Sequence, residues 1–350
     1  MKSRAVRAAT AIAAVSAVAA GCSLSDGDGG TQQTPTVTLV THDSFLAPQE
    51  VLDAFQKQSG IKISVLKQGD AGSLTNKLVL TKANPIGDVA YGVDSTFASR
   101  ALKEGVFEPY TSPEADRGPQ RYAVDPEHRL SAVDVGDVCV NVDTNYFTTK
   151  GIPAPETYDD LADPKYKDLL VAEDPATASP GLAFLLGTIA KYGETGWKDY
   201  WTKLKANGLK VVSGWEEAYT KDFSGSSGKG PRPIVVSYAS SPAAEVGDDG
   251  KPRTKALLDT CYRQVEYAGV LANGKQEESA RKVVDFLLSQ QFQATVAATM
   301  YVYPARQGVD LPAGWAQVAP LPQKPQALTA DQVQAGREKW IGEWRTLVQS

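Results

Sequence analysis

The chain has 350 residues, of which 42% are hydrophobic and 22% charged, and a formal net charge of −5. This length is too great for one small core and favours two domains or one large divided domain. An acidic composition without runs of lysine and arginine argues against a nucleic-acid partner.

The first residues have the layout of a secretory signal, with three cations, a short apolar run and small residues before Cys22. The run is too short to span a membrane. Its Ala-Gly-Cys ending resembles the lipobox of bacterial lipoproteins, although Ala19 stands where leucine is usual. We expect a signal peptide over residues 1–21 and lipidation of Cys22. The alternative is an ordinary cleaved signal with an incidental cysteine.

Residues 22–35 are small, polar and Gly-rich, which is typical of a flexible tether. Without residues 1–21, 33 of the 36 lysines and arginines remain against 41 acids, a net charge of −8. We therefore expect an exported monomer anchored by lipid to the outer face of the cell membrane.

The next part of the chain alternates short β-branched runs with segments of helical period. Runs at residues 37–40, 61–66 and 88–91 flank helical segments at 48–58 and 73–82. This order is the pattern of βαβ units and predicts an α/β domain with a mainly parallel sheet.

A second α/β series follows the turn "GIPAPETYDDL". It contains strands at 169–172, in "LKVVS" and in "PIVVSY", with helices at 180–192 and in "GWKDYWTKLKANG". Further on, "EESARKVVDFLLSQQFQATVA" predicts an amphipathic helix pair, and a long helix after a threonine cap closes the chain.

Two extended stretches, residues 132–147 and 259–271, lie where the chain would cross between the domains. If it crosses twice, the two stretches run side by side, with Cys139 in one and Cys261 in the other. In an oxidising compartment these cysteines predict a disulfide that staples the hinge. Two unpaired buried thiols are the alternative.

The sequence lacks the residue patterns of several common metal, catalytic and nucleotide-binding sites. The two histidines, His42 and His128, form no pair, and the sequence has no HExxH, CxxC, GxSxG or Walker motif. We expect no metal site, no cofactor and no catalysis.

An ordered set of motifs carries a family resemblance. "HDSF", "GDAGSLTNKL", "DPATASPGL", "GWEEAY", "VVSYASSPA", "FLLSQQFQ" and "YVYPA" occur in this order from about residue 36 to the C-terminus. In order and spacing the chain resembles the thiamine-binding periplasmic proteins, which are substrate-binding proteins of ABC importers. The glycine-tryptophan and serine-tyrosine motifs are the most specific part.

The resemblance implies a two-lobed periplasmic-binding-protein-like fold of type II with two crossover hinge strands. Residues 36–135 with 265–310 would form the first lobe, residues 136–264 the second, and residues 311–350 a helical segment packed on both. The implied ligand is thiamine or a thiamine phosphate, and the implied partner is an ABC transporter permease.

Thiamine carries a permanent thiazolium cation, so a desolvated site must meet it with aromatic faces and a carboxylate. The ligand-binding residues that the resemblance implies are Asp70, Ala71, Ala178, Ser179, Trp215, Tyr238, Ser241, Pro242, Tyr301, His42 and Asp43. Asp43, Asp94 and Asp134 are weaker candidates for the counter-charge.

Trp215 has two interpretations. Periodicity alone favours core packing, whereas the "GWEEAY" match and the position after a strand favour a ligand platform. Gly214 would give the backbone freedom to turn the indole into a cleft, and Tyr219, four residues on, would share its face and buttress it.

The polar candidates also have structural alternatives. Asp70 fits a turn acid as well as a ligand contact, and Ser241 fits a simple helix cap. With Ser73 and Ser179, Ser241 would mark three helix N-termini facing one cleft, which would suit a phosphate. His42 stands where relatives carry an aromatic residue, and Tyr301 where they can carry tryptophan.

Two rivals remain open. A thiaminase I type enzyme resembles these binders in fold and would need Cys139 as a free, exposed nucleophile. A binding protein for a polyamine would need more acids along the cleft, and one for ferric ion would need clustered tyrosines.

Overall fold

The computed structural model describes residues 34–350. The expected signal peptide, the Cys22 lipidation site and most of the expected tether lie outside the described residues. None of the helices in this part of the chain combines the length and the apolar composition that a membrane crossing demands.

Between residues 34 and 350 the chain forms eleven strands in two sheets. They are β1 (Thr36–Thr41), β2 (Lys62–Lys67), β3 (Val89–Asp94), β4 (Ser131–Val135), β5 (Val138–Asp143), β6 (Leu170–Glu173), β7 (Lys210–Val212), β8 (Ile234–Tyr238), β9 (Thr254–Tyr262), β10 (Val265–Val270) and β11 (Tyr303–Pro304).

Helices cover the faces of both sheets. The α-helices are α1 (Gln49–Ser59), α2 (Ala71–Leu80), α3 (Ala98–Lys103), α4 (Thr144–Lys150), α5 (Tyr158–Leu161), α6 (Ser179–Ala206), α7 (Trp215–Glu217), α8 (Glu277–Leu288), α9 (Gln290–Met300), α10 (Trp315–Val318) and α11 (Ala330–Val348). Single turns of 3₁₀ or π type lie at Ala115–Arg117, Pro119–Tyr122, Pro164–Tyr166, Ala218–Asp222 and Ser241–Ala244.

The first sheet has the strand order β11-β4-β10-β3-β1-β2. β1 pairs in parallel with β2 and β3, as the βαβ pattern predicts. β10 and β11 are antiparallel to their neighbours, so the sheet is mixed rather than mainly parallel. The strand β10 returns to this sheet from the far end of the chain.

The second sheet has the order β7-β6-β8-β5-β9. Its β6 is parallel to β7 and β8, whereas β5 is antiparallel to β8 and β9. The predicted helices of this half are joined as α6, within which Gly193 leaves helical geometry at φ 73° and marks the expected boundary between them.

Two short segments connect the sheets side by side, as the extended stretches predict. Residues 136–137 join β4 to β5, and residues 263–264 join β9 to β10. The Gly136 amide donates to the Gln264 carbonyl over 3.1 Å. Arg263 donates to both oxygens of the buried Asp137 carboxylate, at 2.5 and 3.0 Å. The crossing is therefore held by backbone and by a two-point ion pair.

Cys139 and Cys261 form a disulfide. Both cysteines lie in the second sheet, on the neighbouring strands β5 and β9. The bond therefore joins two strands of one sheet just beyond the crossing, and it does not link one lobe to the other.

The C-terminal helix α11 begins at a Thr329 cap, as predicted. Trp344 packs edge-on against Trp201 of α6, with ring centroids 5.5 Å apart. The guanidinium carbon of Arg337 lies 5.5 Å from the ring centroid of Phe97, which precedes α3. Since α3 follows a strand of the first sheet and α6 follows one of the second, α11 touches both halves.

Candidate functional site

A cavity of about 660 Å³ lies between the two sheets. Its size is in the range of small-molecule sites. Seven of the predicted ligand residues line it together: His42, Asp43, Asp70, Trp215, Tyr238, Ser241 and Tyr301. Ala71, Ala178, Ser179 and Pro242 do not line it and are buried behind its wall. Pro242 instead lines a second cavity that faces the C-terminal segment.

Asp70 reaches from the first half to the second. Its carboxylate caps α2 through the Ala71 amide at 2.7 Å. It also accepts the backbone N–H of Ser179 at 3.1 Å and of Trp215 at 3.0 Å, at the starts of α6 and α7. Burial raises the pKa of this carboxyl, and these hydrogen bonds oppose the rise. Asp70 thus bridges the cavity instead of projecting freely into it.

The helix starts at the cavity differ from the predicted ones. Asp70, not Ser73, caps α2, and α6 begins after Ala178 without a side-chain cap. Ser241 is not an N-cap either, because its hydroxyl bonds the Ser237 hydroxyl at 2.8 Å and accepts the Tyr238 amide at 3.1 Å. The amides expected to hold a phosphate at α6 already donate to Asp70.

Trp215 forms part of the cavity wall. One indole face stacks on Tyr219 of the following turn, with centroids 4.9 Å apart and planes at 17°. The indole N–H donates to the Ser237 hydroxyl at 2.8 Å, which fixes the ring in its plane. Tyr219 is therefore a buttress, as the four-residue spacing predicts.

Gly214 serves a purpose other than the expected one. Its backbone is extended (φ −168°, ψ 169°), a conformation open to any residue. A Cβ at this position would lie 3.3 Å from the Asp70 carboxylate. Glycine therefore favours the close approach of the two halves here, and the indole does not depend on a special turn.

A buried polar network forms the floor of the cavity. His42 Nε2 lies 3.4 Å from Glu266 Oε2, and the Tyr91 hydroxyl lies 2.9 Å from the same oxygen. Tyr91 also bonds the Asp134 carboxyl. Asp134 and Glu266 are paired neighbours on β4 and β10.

Burial and the contact between His42 and Glu266 shift the pKa values of the groups in this network. Burial works to lower the pKa of His42, but the charge of Glu266 and their hydrogen bond raise it overall. Burial also works to raise the pKa of Glu266, yet His42 holds it below its ordinary value. Burial and then the charge of Glu266 raise the pKa of Asp134 well above its ordinary value. These shifts favour a charged His42 beside an ionised Glu266, and a protonated Asp134.

Tyr301 lies at the mouth of the cavity and is 38% exposed. It ends α9 in the left-handed region at φ 55°, where a bulky residue is strained by roughly 1–3 kcal/mol. Its ring stacks on Trp315, with centroids 6.2 Å apart and planes at 12°. Trp315 is buried, and through this stack it positions a ring of the site. The Tyr303 hydroxyl donates to the Ala319 carbonyl, and this residue does not line the cavity.

Asp43 lies beside Asp70 but belongs to the first half alone. Its carboxylate accepts the Gly69 amide at 2.9 Å. The neighbouring Ser44 hydroxyl reaches across to Glu216 at 3.0 Å. Asp94 is buried outside the cavity wall and bonds Ser179.

Sequence reasoning missed Gln264, Glu266 and the acids Glu216, Glu217 and Glu245, all of which line the cavity. The alternating pattern around Gln264 predicted a crossing strand, but nothing in it separates a cavity residue from a core residue. Glu216 and Glu217 lie inside the "GWEEAY" motif, so the motif itself was the available signal.

Among residues 34–350, no group of three or more histidine, cysteine, aspartate or glutamate side chains is placed to hold a metal ion. Both cysteines of this part of the chain are in the disulfide, and both are buried. The free thiolate that a thiaminase-like enzyme would require at Cys139 is therefore not present in this structure.

Comparisons with known proteins agree with this architecture. The family described as "Bacterial extracellular solute-binding protein" matches residues 84–334. The thiamine-binding periplasmic proteins of Salmonella typhimurium and Escherichia coli are each 30% identical over 325 residues, which cover 90% of this chain and 94% of each relative. A solved periplasmic thiamin binding protein has a TM-score of 0.81 at 28% identity and covers 91% of this chain and 98% of its own. The predicted two-lobed fold is confirmed.

Proposed function

The chain belongs to the bacterial extracellular solute-binding proteins, and on this basis we propose that it binds thiamine in the cavity between its sheets. The relatives that cover nearly the whole chain are named for thiamine binding. The proposal extends that ligand to this protein because the cavity offers the chemistry that thiamine requires.

One observation carries the proposal: the cavity combines aromatic faces with a large excess of acids. Trp215, Tyr219, Tyr238 and Tyr301 supply rings. Seven carboxyl side chains line the same cavity against one lysine, Lys221; they are Asp43, Asp70, Asp134, Glu216, Glu217, Glu245 and Glu266. An organic cation is the ligand class that suits both features.

The interaction energies that the cavity can supply are comparable with the free energy of tight thiamine binding. Each ring face contributes about 0.5–2 kcal/mol to a bound cation. Nanomolar binding corresponds to roughly 12 kcal/mol. Two or three rings and a carboxylate in a desolvated cavity therefore supply a substantial share, and enclosure between the two halves supplies the desolvation.

The transport role rests on the family and on the N-terminal sequence. We propose that residues 1–21 direct export, that lipid on Cys22 anchors the protein outside the cell membrane, and that the protein acts as a monomer. Residues 36–135 with 265–310 and residues 136–264 would move as two lobes, with residues 311–350 packed on them. The closed form would deliver the vitamin to an ABC permease.

Thiamine phosphates are the finer part of the proposal. Lys221 lines the cavity and offers a cation to a phosphate. Because Asp70 already occupies the amides of Ser179 and Trp215, a phosphate at those helix starts would have to displace it. We therefore expect phosphorylation to add little affinity.

The rivals differ in what they need from the site. A polyamine would pair with the acids and could also use the ring faces, but it has no heterocycle, and the relatives that cover nearly the whole chain are named for thiamine binding. A ferric ion would need a cluster of ligands, and a thiaminase-like reaction would need a free thiolate where Cys139 is bonded. The carboxyl-rich lining suits either organic cation, and the relatives named for thiamine binding favour thiamine.

Calorimetric titration with thiamine, spermidine and ferric citrate tests the proposal, after native mass spectrometry of the protein as purified. We expect thiamine alone to bind tightly, and Trp215→Ala to weaken it about 3- to 30-fold, the equivalent of one ring face. Trp215→Phe keeps a ring and is the matched control, with a smaller loss. Tight spermidine binding without thiamine binding would refute the assignment.

A further inference from the structure

Gln264 has an unusual position for a neutral polar side chain. It lies in the segment that crosses between the sheets, and it lines the cavity. Its residue is 0% exposed, yet neither the amide nitrogen nor the amide oxygen of the side chain has a hydrogen-bond partner. Native proteins leave few buried polar groups in this condition, and each one calls for an explanation.

Gln293 shows what a structural buried glutamine looks like in the same protein. It is also 0% exposed. Its amide nitrogen donates to the carbonyls of Val133 and Leu287 at 2.9 and 2.8 Å, and its amide oxygen accepts the Arg306 amide at 3.0 Å. The fold therefore satisfies a buried amide completely where the amide serves packing alone.

The surroundings of Gln264 add a second unpaired group. Asp134, on the neighbouring strand and on the same cavity wall, has one oxygen held by Tyr91. The other oxygen, Oδ1, is buried without a partner. Burial and the charge of Glu266 raise the pKa of the Tyr238 phenol well above its ordinary value. The Gln264 side chain comes close enough to this phenol to oppose that rise, but its amide atoms do not reach hydrogen-bonding geometry with it. The floor thus offers one free donor and two free acceptors beside an aromatic ring.

We propose that Gln264 is a ligand contact that recognises the aminopyrimidine end of the bound molecule, with Asp134 Oδ1 as a second acceptor. This inference rests on the proposed thiamine function and assigns an orientation within it. An aminopyrimidine presents a ring nitrogen acceptor next to an amino donor, and a carboxamide pairs with that edge through two bonds, as glutamine does with the adenine edge. The thiazolium then lies toward the rings and acids of the outer cavity.

The orientation makes Gln264 a specificity residue. A ligand with the same positive charge but no heterocyclic donor and acceptor would leave the amide unpaired and would bind less tightly. The Gln264 amide carries no charge, so it would select ligands by the arrangement of their hydrogen-bond donors and acceptors and not by attracting the cation.

The test compares Gln264→Met with Gln293→Met. Ligand-free thermal unfolding and calorimetry are measured with two probes: thiamine, and an N-methylated hydroxyethyl-thiazolium that lacks the pyrimidine. We expect Gln264→Met to lose about tenfold in thiamine affinity, or 1.4 kcal/mol, with its thiazolium affinity within twofold of wild type and its unfolding midpoint unchanged or raised. Gln293→Met should lower the midpoint and leave the thiamine affinity of the folded protein unchanged.

Each outcome decides the inference. If Gln264→Met binds thiamine like wild type, the amide is satisfied by water alone and the inference is wrong. Equal losses for both probes would also overturn it, since the loss would not depend on the pyrimidine. If Gln264→Met does not fold, Gln264→Leu replaces it in the same comparison. Wild-type protein that binds no thiamine would refute the proposed function and this inference together, whereas wild-type binding with an unaffected variant refutes only the inference.

Discussion

Replacement of Asp70 by asparagine separates its bridging role from its charge. Asparagine caps a helix as well as aspartate does, so α2 keeps its N-terminal hydrogen bond. One oxygen still accepts the Ala71 and Ser179 amides, which lie at 2.7 and 3.1 Å from the same atom. The other position becomes an NH₂ group that faces the Trp215 N–H, where the carboxylate accepted a bond of 3.0 Å.

The loss follows from that one contact. A hydrogen bond to a charged group contributes about 1.5–3 kcal/mol, and 1.4 kcal/mol is a factor of ten in an equilibrium constant. The closed arrangement should therefore become roughly 10- to 150-fold less favourable relative to an open one. A ligand that binds the closed form loses affinity to the extent that this form is depopulated.

Calorimetric titration with thiamine measures the effect, and Asp43→Asn is the matched control. Asp43 lines the same cavity and carries the same kind of side chain, but its carboxylate bonds only the Gly69 amide of its own half. We expect Asp70→Asn to weaken binding at least tenfold and Asp43→Asn to weaken it by about threefold or less. Equal losses for the two variants would show that only the negative charge matters, and the bridging argument would fail.

Two further predictions concern stability. Burial raises the pKa of Asp94 to about 7, so the folded protein holds this proton more tightly than the unfolded chain, and the resulting stability is lost as pH rises toward 7. Between pH 5 and pH 8 the free energy of unfolding of wild type should fall by about 3 kcal/mol through this group, and that of Asp94→Asn should not. Denaturant unfolding at both pH values measures it, and a stability difference between the two proteins that is the same at pH 5 and pH 8 contradicts the prediction. Reduction of Cys139–Cys261 should cost about 2–5 kcal/mol and add two titratable thiols in denaturant, and an unchanged thiol count would exclude the bond.

The overall architecture was predictable because it depends on short-range patterns. β-Branched runs alternating with helical segments indicated two α/β halves, and two alternating stretches with one cysteine each indicated the paired crossing. The stack of Tyr219 on Trp215 follows from a spacing of four residues. The elements and the Tyr219 stack are set by neighbours in sequence, so the sequence pattern contains them, whereas the side-by-side crossing followed from the positions of two separate stretches between the predicted domains.

The floor of the cavity was not predictable in the same way. His42 and Glu266 are an ion pair although 224 residues separate them, and Asp134 was only a weak candidate before its pairing with Glu266 was known. Asp70 was expected to contact the ligand. That its carboxylate also accepts the Ser179 and Trp215 amides of the other half depends on how the two halves meet. Whether Gln264 has hydrogen-bond partners is a property of the folded surroundings and leaves no periodic signal.

The crossing has only two residues on each strand between the sheets, 136–137 and 263–264, and Gln264 is one of them. If the two halves swing about this crossing, as proposed, points on the rotation axis move least, so the floor of the site would stay assembled whether the cavity is open or closed. An arriving molecule can then dock at the axis first, with Asp70 reaching Trp215 afterwards. On this order of events, residence time depends on Asp70, whereas the rate of first encounter does not.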